Sequence, residues 1–295
     1  MSEITKIALL GTGLMGFPMT QNLLKAGYEV TVWNRSMAKA EPLVRDGAIL
    51  ASSPAEAVLG KDFVITMLSD GAAVGALIAD ANVQSALNKG AIWLDMSSIK
   101  PAEAREHVEV LASIGVGHLD APVSGGTKGA EAASLAIMVG GKATAFATAE
   151  PIFAAMGRPV HVGPTGAGQL SKLANQTIVA VTIGAVAEAM LLAEQGGADP
   201  AALRKALKGG FADSVILQQH GERMSTGNFA PGGLSKFQLK DLDNVLAEAS
   251  GLDLTLPVTQ HIRDRFDHFV HEMDGADMDH SGLYLELKKQ NGMDI

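Results

Sequence analysis

The chain has no cysteine in its 295 residues, so disulfides, thiolate nucleophiles and zinc–thiolate centres are excluded. Positive charge is also in short supply. With 23 Lys and Arg against 32 Asp and Glu, the formal charge is −9, and no basic stripe stands out. Nucleic acid is therefore not an expected partner, because phosphate neutralisation needs clustered Lys and Arg. Aromatic residues contribute only 4%, whereas hydrophobic residues as a whole reach 47%, enough for a sizeable aliphatic core. The opening MSEITKIALLG has too short an apolar run for a secretory leader, which leads to the expectation of a soluble cytoplasmic protein. Thr177–Ala193 is almost wholly apolar, but it falls short of the roughly 20 residues of a spanning helix and contains Glu188. It reads as a buried core helix, and no membrane association is expected. The eight histidines form no H-E-x-x-H, and His268 and His271 read as a partly exposed helix face, so no metal is expected.

What is present is a change of pattern near Gly163-Pro164. Before it, short apolar runs alternate with helical stretches. Lys6–Leu10, Val30–Trp33, Phe63–Leu68, Ala91–Leu94, Gly117–Ala121, Ser134–Val139 and Pro159–Val162 read as extended. Leu14–Ala26 and Pro101–Ile114 read as helices, with Gly27 capping the first, and Ser53-Pro54-Ala55-Glu56 reads as a capping-box start. That alternation predicts an α/β domain with a mostly parallel sheet covered on both faces. Beyond it only helical patterns follow, at Gln169–Gln195, Pro200–Leu207, Lys240–Ala249, Pro257–Phe269 and Ser281–Lys289. The expected organisation is an N-terminal dinucleotide-binding domain over residues 1–163 and an all-helical C-terminal domain over 164–295.

Gly11-Thr12-Gly13-Leu14-Met15-Gly16 is a G-x-G-x-x-G that ends a strand and opens a helix, the context a Rossmann turn requires. Gly11 permits the tight turn, Gly13 lets a pyrophosphate approach the backbone, and Gly16 lets helix and strand pack closely. At the end of the second strand, where an NAD site places an acid on the ribose 2′-hydroxyl, this chain has Asn34-Arg35-Ser36. A neutral Asn34 removes repulsion against a 2′-phosphate, Arg35 can clamp it, and Ser36 can add a hydrogen bond. The reading is NADP(H) in preference, with NAD(H) still open.

A second constellation lies in Gly166–Gln176, GAGQLSKLANQ, where Lys172 and Asn175 share one helix face a turn apart. With a dinucleotide at the other end, this pair suggests redox chemistry on a small oxygenated substrate. Asp120–Thr127, DAPVSGGT, ends an extended run in a small donor-rich loop. Ser124, Gly125 and Gly126 could form a nest for a carboxylate or simply make a turn.

Taken together, GTGLMGFPMTQNLLKAGY, DAPVSGGTKGAEAASLAIMVGG, GAGQLSKLANQ and FQLKDLDNVLAEA occur in the order and spacing of the β-hydroxyacid dehydrogenases, and the resemblance spans essentially the whole chain. It implies a Rossmann domain followed by a helical domain, assembled as a homodimer or homotetramer. The implied activity is hydride transfer between a nicotinamide cofactor and a small carboxylate-bearing aldehyde or hydroxy acid. It also implies roles by position: Lys172 as catalytic lysine with Asn175 as its partner, and Ser124, Gly125 and Gly126 on the substrate carboxylate. Lys240 falls near the nicotinamide, Ser98 where the family has a cofactor-contacting hydroxyl, and Met67 and Leu68 along the cofactor path. Lys172-Leu173-Ala174-Asn175-Gln176, Gly209-Gly210 leading to Ser214, and Asp279-His280-Ser281 most resemble the branch that reduces tartronate semialdehyde to D-glycerate. The 3-hydroxyisobutyrate branch and the glyoxylate and succinic semialdehyde branch are the alternatives. Phosphogluconate-type decarboxylation would need a basic cluster that is not evident, and a redox-silent NADP-binding regulator would have no need of the Lys172/Asn175 pair.

Overall fold

In the computed structural model, which describes residues 4–295, the first half builds one nine-stranded sheet. The elements run β1 (Lys6–Leu10), α1 (Gly16–Lys25), β2 (Glu29–Trp33), β3 (Ile49–Leu50), α2 (Pro54–Val58), β4 (Phe63–Thr66), α3 (Gly71–Ala79), α4 (Ala81–Ala86), β5 (Ile92–Asp95) and α5 (Pro101–Ser113). They continue with β6 (Gly117–Asp120), β7 (Val123–Ser124), α6 (Gly126–Glu131), β8 (Leu135–Gly141), α7 (Ala143–Ala154), β9 (Gly157–Gly163) and the long α8 (Ala167–Gln195). The strand order is β3-β2-β1-β4-β5-β6-β8-β7, with β9 also paired to β8. Strands β3 through β6 are parallel, while β8 runs antiparallel to β6 and β7. The chain leaves β1 for β2 on one side and reaches β4 on the other, so the topological switch lies at the carboxyl end of β1, where ligands bind in open α/β sheets.

Nearly continuous burial of β1 and β4 follows from helices on both faces of a parallel sheet. Period-two alternation divides the apolar residues between two cores. Ile7, Leu9, Ile65, Leu94 and Leu119 join Met19, Leu23 and Phe153 in one. Ala8, Leu10, Val64 and Trp93 join Val74, Ala104 and Leu111 in the other. Ser53 caps α2 by accepting from the Glu56 N–H at 3.1 Å. The reciprocal half of the expected capping box lands one residue early: Glu56 accepts from the Ser52 N–H at 2.7 Å and also from its hydroxyl.

The chain divides into two compact units between Lys172 and Leu173, inside α8 rather than at Pro164. The second unit continues with α9 (Pro200–Leu207), α10 (Val215–Thr226), α11 (Ser235–Gly251), α12 (Pro257–Glu272) and α13 (Leu283–Gln290). Its core gathers Ile183, Ala187, Met190, Phe266, Phe269 and Leu283.

Two expectations about this unit need correction. The sequence pattern gives no helix between Leu207 and Lys240, where α10 stands. Its buried stripe is only Leu217, Gly221 and Met224, and a glycine in the middle hides the helical period. A Cβ at Gly221 would sit 2.9 Å from Arg204 Cδ, so a larger residue there requires the Arg204 side chain to move. The second correction concerns α8, which is not buried all round. It spans 29 residues, long and apolar enough to cross a membrane by length and composition alone, and 39% of its most apolar stretch is buried. Ala180, Ile183 and Ala187 face the core, while Ile178 and Leu192 are 66% and 77% exposed.

Candidate active site

The glycine turn shows why each of its glycines is there. Gly11 has φ +106°, and a Cβ on it would lie 2.4 Å from the Met67 carbonyl oxygen. A Cβ on Gly16 would lie 1.9 Å from the Gly11 carbonyl oxygen. Both positions exclude any larger residue on steric grounds. Gly13 differs: a Cβ there meets nothing within 4 Å. Its side faces open space, which is what close approach of a ligand to the backbone requires. No side chain caps α1, and its first turn holds no acid, so its leading N–H groups and dipole are left for an anion. Thr12 is buried with its hydroxyl unpartnered, and Leu14 is 82% exposed at the rim. These features fit a dinucleotide whose pyrophosphate sits on the turn.

Asn34 serves the turn directly. Its Oδ1 accepts from the Thr12 N–H at 3.0 Å and its Nδ2 donates to the Ser36 carbonyl at 2.9 Å. The amide thus ties the end of β2 to the turn, while Arg35 and Ser36 are exposed. Among the described residues Arg35 carries no ion pair. Met67 and Leu68, half-buried beyond β4, lie against Gly11, and the Leu68 N–H donates to Ser97 Oγ at 3.0 Å. Ser98 is half-buried, in a segment gripped on both sides by Gln169: the Ile99 N–H donates to Gln169 Oε1 at 3.1 Å, and Gln169 Nε2 donates to the Ser97 carbonyl at 2.8 Å. Gln169 is wholly buried and had no role in the sequence reading. Its only signal was a polar residue in an otherwise small and apolar helix start.

The start of α8 is held from within the protein. Buried Asp120 accepts from the Gly166 N–H at 2.8 Å and the Gln169 N–H at 3.0 Å, capping the helix from within the protein. Gly168 is small because a Cβ would lie 2.4 Å from the Asp120 carbonyl oxygen and 2.5 Å from that of Met138. Burial raises the Asp120 carboxyl above its ordinary range against the pull of these donors. Nearby Asp95, at the end of β5, is pushed to about 6 by burial, although Ser97 and Thr66 donate to it.

Ser124 ends β7, and Gly125 (φ +141°) and Gly126 (φ +60°) lead into α6, both exposed. A Cβ on Gly126 meets nothing within 4 Å. Lys172 and Asn175 stand a turn apart on α8, both half-buried. In the helical unit Asn175 opens a polar chain. Its Nδ2 donates to Gln176 Oε1 at 2.8 Å, Gln176 Nε2 donates to Asp241 Oδ2 at 2.6 Å, and Lys240 Nζ lies 3.2 Å from Asp241 Oδ1. Gln238 Nε2 reaches the Gln176 carbonyl at 3.4 Å, and Gln238 Oε1 meets His280 Nδ1 at 3.3 Å. Lys240 was expected at the site. Gln176, Gln238 and Asp241 were missed, although Gln238 and Asp241 lie in the same FQLKDLDNV string.

An open parallel sheet with a glycine-rich turn at its switch point, followed by a helical unit with this polar chain, defines a nicotinamide-dependent oxidoreductase. Residues 6–166 match the model of the NAD binding domain of 6-phosphogluconate dehydrogenase, and residues 166–287 that of the NAD-binding domain of NADP-dependent 3-hydroxyisobutyrate dehydrogenase. The 2-hydroxy-3-oxopropionate reductase of Escherichia coli is 39% identical over 285 residues, covering 96% of this chain and 97% of that one. The 3-hydroxyisobutyrate dehydrogenase of Pseudomonas aeruginosa is 35% identical over 289 residues, covering 95% and 96%. The solved structure of the Mycobacterium tuberculosis 3-hydroxyisobutyrate dehydrogenase with L-serine superposes with a TM-score of 0.88 at 33% identity, covering 97% of this chain and all of that one. The chain belongs to the β-hydroxyacid dehydrogenase family, and it is an NAD(P)-dependent enzyme acting on CH–OH groups.

Proposed function

We propose that the protein reduces tartronate semialdehyde to D-glycerate with NADPH. The observation that carries the substrate is the 39% identity, across nearly the full length of both chains, to a relative named 2-hydroxy-3-oxopropionate reductase. The cofactor preference rests on Asn34-Arg35-Ser36, which puts an exposed cation and a hydroxyl, and no carboxylate, at the end of β2.

When bound, the nicotinamide supplies the hydride. The glycine turn holds the pyrophosphate through backbone N–H groups, and Arg35 and Ser36 take the 2′-phosphate. Ser124, Gly125 and Gly126 hold the substrate carboxylate. Lys172 as ammonium stabilises the growing negative charge on the carbonyl oxygen and delivers its proton. Asn175 orients that oxygen, and is itself oriented through Gln176 by Asp241. In the oxidising direction the same lysine, neutral, takes the alcohol proton. We also read the protein as cytoplasmic and as a homodimer or homotetramer, the assembly being supported by the exposed Ile178 and Leu192 on α8.

A second reading, oxidation of 3-hydroxyisobutyrate, is favoured by relatives of that name at 33–35% identity over the same length. The test is kcat/KM with NADPH and NADH on tartronate semialdehyde, succinic semialdehyde and glyoxylate, and with NADP⁺ and NAD⁺ on D-glycerate and 3-hydroxyisobutyrate. Tartronate semialdehyde with NADPH should lead. Arg35→Ala should raise the NADPH KM and leave kcat nearly unchanged, since the contact is remote from the reacting carbon. A higher value for 3-hydroxyisobutyrate, or for NADH in the unmutated enzyme, refutes the corresponding half of the proposal.

A further inference from the structure

We propose that Asp95, His107 and His118 form a binding site for one zinc-class divalent cation, buried in the sheet-containing unit and separate from the dinucleotide turn. The three come from different elements: Asp95 from the end of β5, His118 from β6 and His107 from α5. One ligand atom from each lies within 4.8 Å of the others. No short sequence motif links positions 95, 107 and 118, which is why the spacing of the histidines gave no sign of the site.

The first argument is polar satisfaction. Asp95, His107 and His118 are 0%, 7% and 3% exposed, yet Asp95 Oδ2, His107 Nδ1 and both ring nitrogens of His118 have no hydrogen-bond partner. Buried polar atoms are nearly always paired, and orphaned atoms on three residues that gather at one place call for a ligand that accepts lone pairs. The His107 ring is set with Nε2 against α3, where a Cβ on Gly75 would come within 3.1 Å. Nδ1 is then the free nitrogen.

The second argument is a preformed outer shell. Asp95 Oδ1 accepts from Thr66 Oγ1 at 2.9 Å and from the Ser97 N–H at 3.1 Å, and Thr66 in turn accepts from Trp93 Nε1 at 3.0 Å. These bonds fix the carboxylate and leave Oδ2 as its unused oxygen, the arrangement expected around a metal ligand. Two imidazoles and a carboxylate suit a borderline cation such as Zn²⁺. Three atoms at most 4.8 Å apart always leave a point within about 2.8 Å of all of them, so shifts of about 0.7 Å reach ligand distances of about 2.0–2.2 Å. Asp120 lies opposite Asp95 in the β5/β6 register and is committed to the N–H groups of Gly166 and Gln169. It supplies a second negative charge without being a ligand, so the two carboxylates balance the dication.

The other histidine cluster, His220, Asp279 and His280, shows the contrast. There Asp279 Oδ1 already accepts from the Ser281 N–H and hydroxyl, and Oδ2 from the N–H groups of Gly232 and Gly233. That carboxylate has nothing left for a cation.

The bound ion would staple α5 to β5 and β6 beneath the segment that carries Ser98. The test uses the full chain, expressed with added Zn²⁺, purified without chelator, desalted and assayed by elemental analysis. About one zinc per chain is expected, with a higher thermal midpoint than the chelator-stripped protein. His118→Leu and His107→Leu should lose both the metal and the shift. Less than about 0.1 zinc per chain, both as purified and after incubation with excess Zn²⁺, overturns the proposal, as does undiminished metal in folded His118→Leu. Should the variants not fold, X-ray absorption of the zinc-loaded unmutated protein decides: two imidazoles in the first shell support the site, and a shell without imidazole rejects it.

Discussion

The two units prepare their parts of the chemistry in opposite ways. In the sheet-containing unit the glycine turn is made of backbone: Gly11 and Gly16 leave no room for a Cβ, Gly13 leaves a space, and the start of α1 carries no side-chain cap, which leaves its N–H groups for the proposed pyrophosphate. In the helical unit the arrangement is made of side chains, with Asn175, Gln176, Asp241 and Lys240 handing hydrogen bonds and charge along in sequence. A backbone site is fixed once the fold is fixed. A side-chain site can be retuned or broken without disturbing the fold.

The largest expected effect breaks the side-chain chemistry and spares the rest. Lys172→Ala should keep its thermal midpoint and its NADPH affinity, yet lose on the order of 10²–10⁴-fold in kcat, the usual consequence of removing a general acid. Lys172→Arg should not recover it, because guanidinium keeps the charge but does not readily give up a proton. Single-turnover hydride transfer with NADPH already bound is the measurement. Near-normal rates in Lys172→Ala would show that the lysine takes no part in proton delivery.

The glycine pair sharpens the backbone half of the comparison. Gly16→Ala places a methyl 1.9 Å from a carbonyl oxygen, so the fold must yield, with a loss of at least about 2 kcal/mol. Gly13→Ala meets nothing, and φ there is not in the left-handed region, so the free protein should melt as before. Its cost should appear only when the dinucleotide is added, as weaker binding by roughly tenfold or more, of the order a misfit methylene brings. Calorimetric melting paired with NADPH titration separates the two. Equal affinity in Gly13→Ala would mean that the open space is not where the pyrophosphate lies.

The same division explains what could be read from the sequence. Backbone necessity leaves a mark at fixed spacing, so Gly11, Gly13 and Gly16, the mostly parallel sheet and all but one of the longer helices beyond Gly163 were legible, as was the family. Side-chain networks between distant positions leave no such mark. Gln169 gripping Ser97 and Ile99, Asp120 capping α8 and Gln176 meeting Asp241 each join residues 46 to 72 positions apart. Helix α10 escapes because its buried stripe runs through a glycine, and the apolar Thr177–Ala193 reads as a buried helix because composition reports apolarity but not which sides have neighbours.

Asp241→Asn tests whether the polar chain orients Asn175 or merely fills space. The amide can still accept from Gln176 but loses the charge facing Lys240. The pair is partly exposed, so the stability change should stay under about 1 kcal/mol. If the chain sets orientation, kcat should fall between roughly 10- and 100-fold with KM for NADPH unchanged, since small misplacements at a reacting centre are amplified. A fall in midpoint with kcat intact would reassign the chain to structure.

The smallest effect expected is the helical unit's share of the pH dependence. Burial lowers the His220 imidazole below its usual value, with Arg223 acting the same way and Asp279 opposing. The Asp279 carboxyl is itself held low: burial would raise it, but donors from Ser281 and Gly233 and the charge of His280 outweigh that. The folded unit thus holds His220 neutral and Asp279 ionised. For His220 the unfolded chain takes up the proton first, so stability declines as pH falls below the ordinary histidine value of about 6.5. For Asp279 the contribution is complete above the ordinary carboxyl value of about 3.9 and is lost as pH falls through the lowered one. The helical unit's contribution to the thermal midpoint is therefore flat above about pH 6.5, slopes gently down toward pH 5 through His220, and steepens near pH 4 as Asp279 protonates. His220→Asn should make the gentle slope shallower and keep the steep one, because buried His107 and His118, whose imidazoles burial also lowers, retain part of it. If the slope between pH 6.5 and 5 persists unchanged in His220→Asn, the imidazole is not the group responsible, and the coupling of His220 to Asp279 at 3.6 Å has no bearing on acid stability.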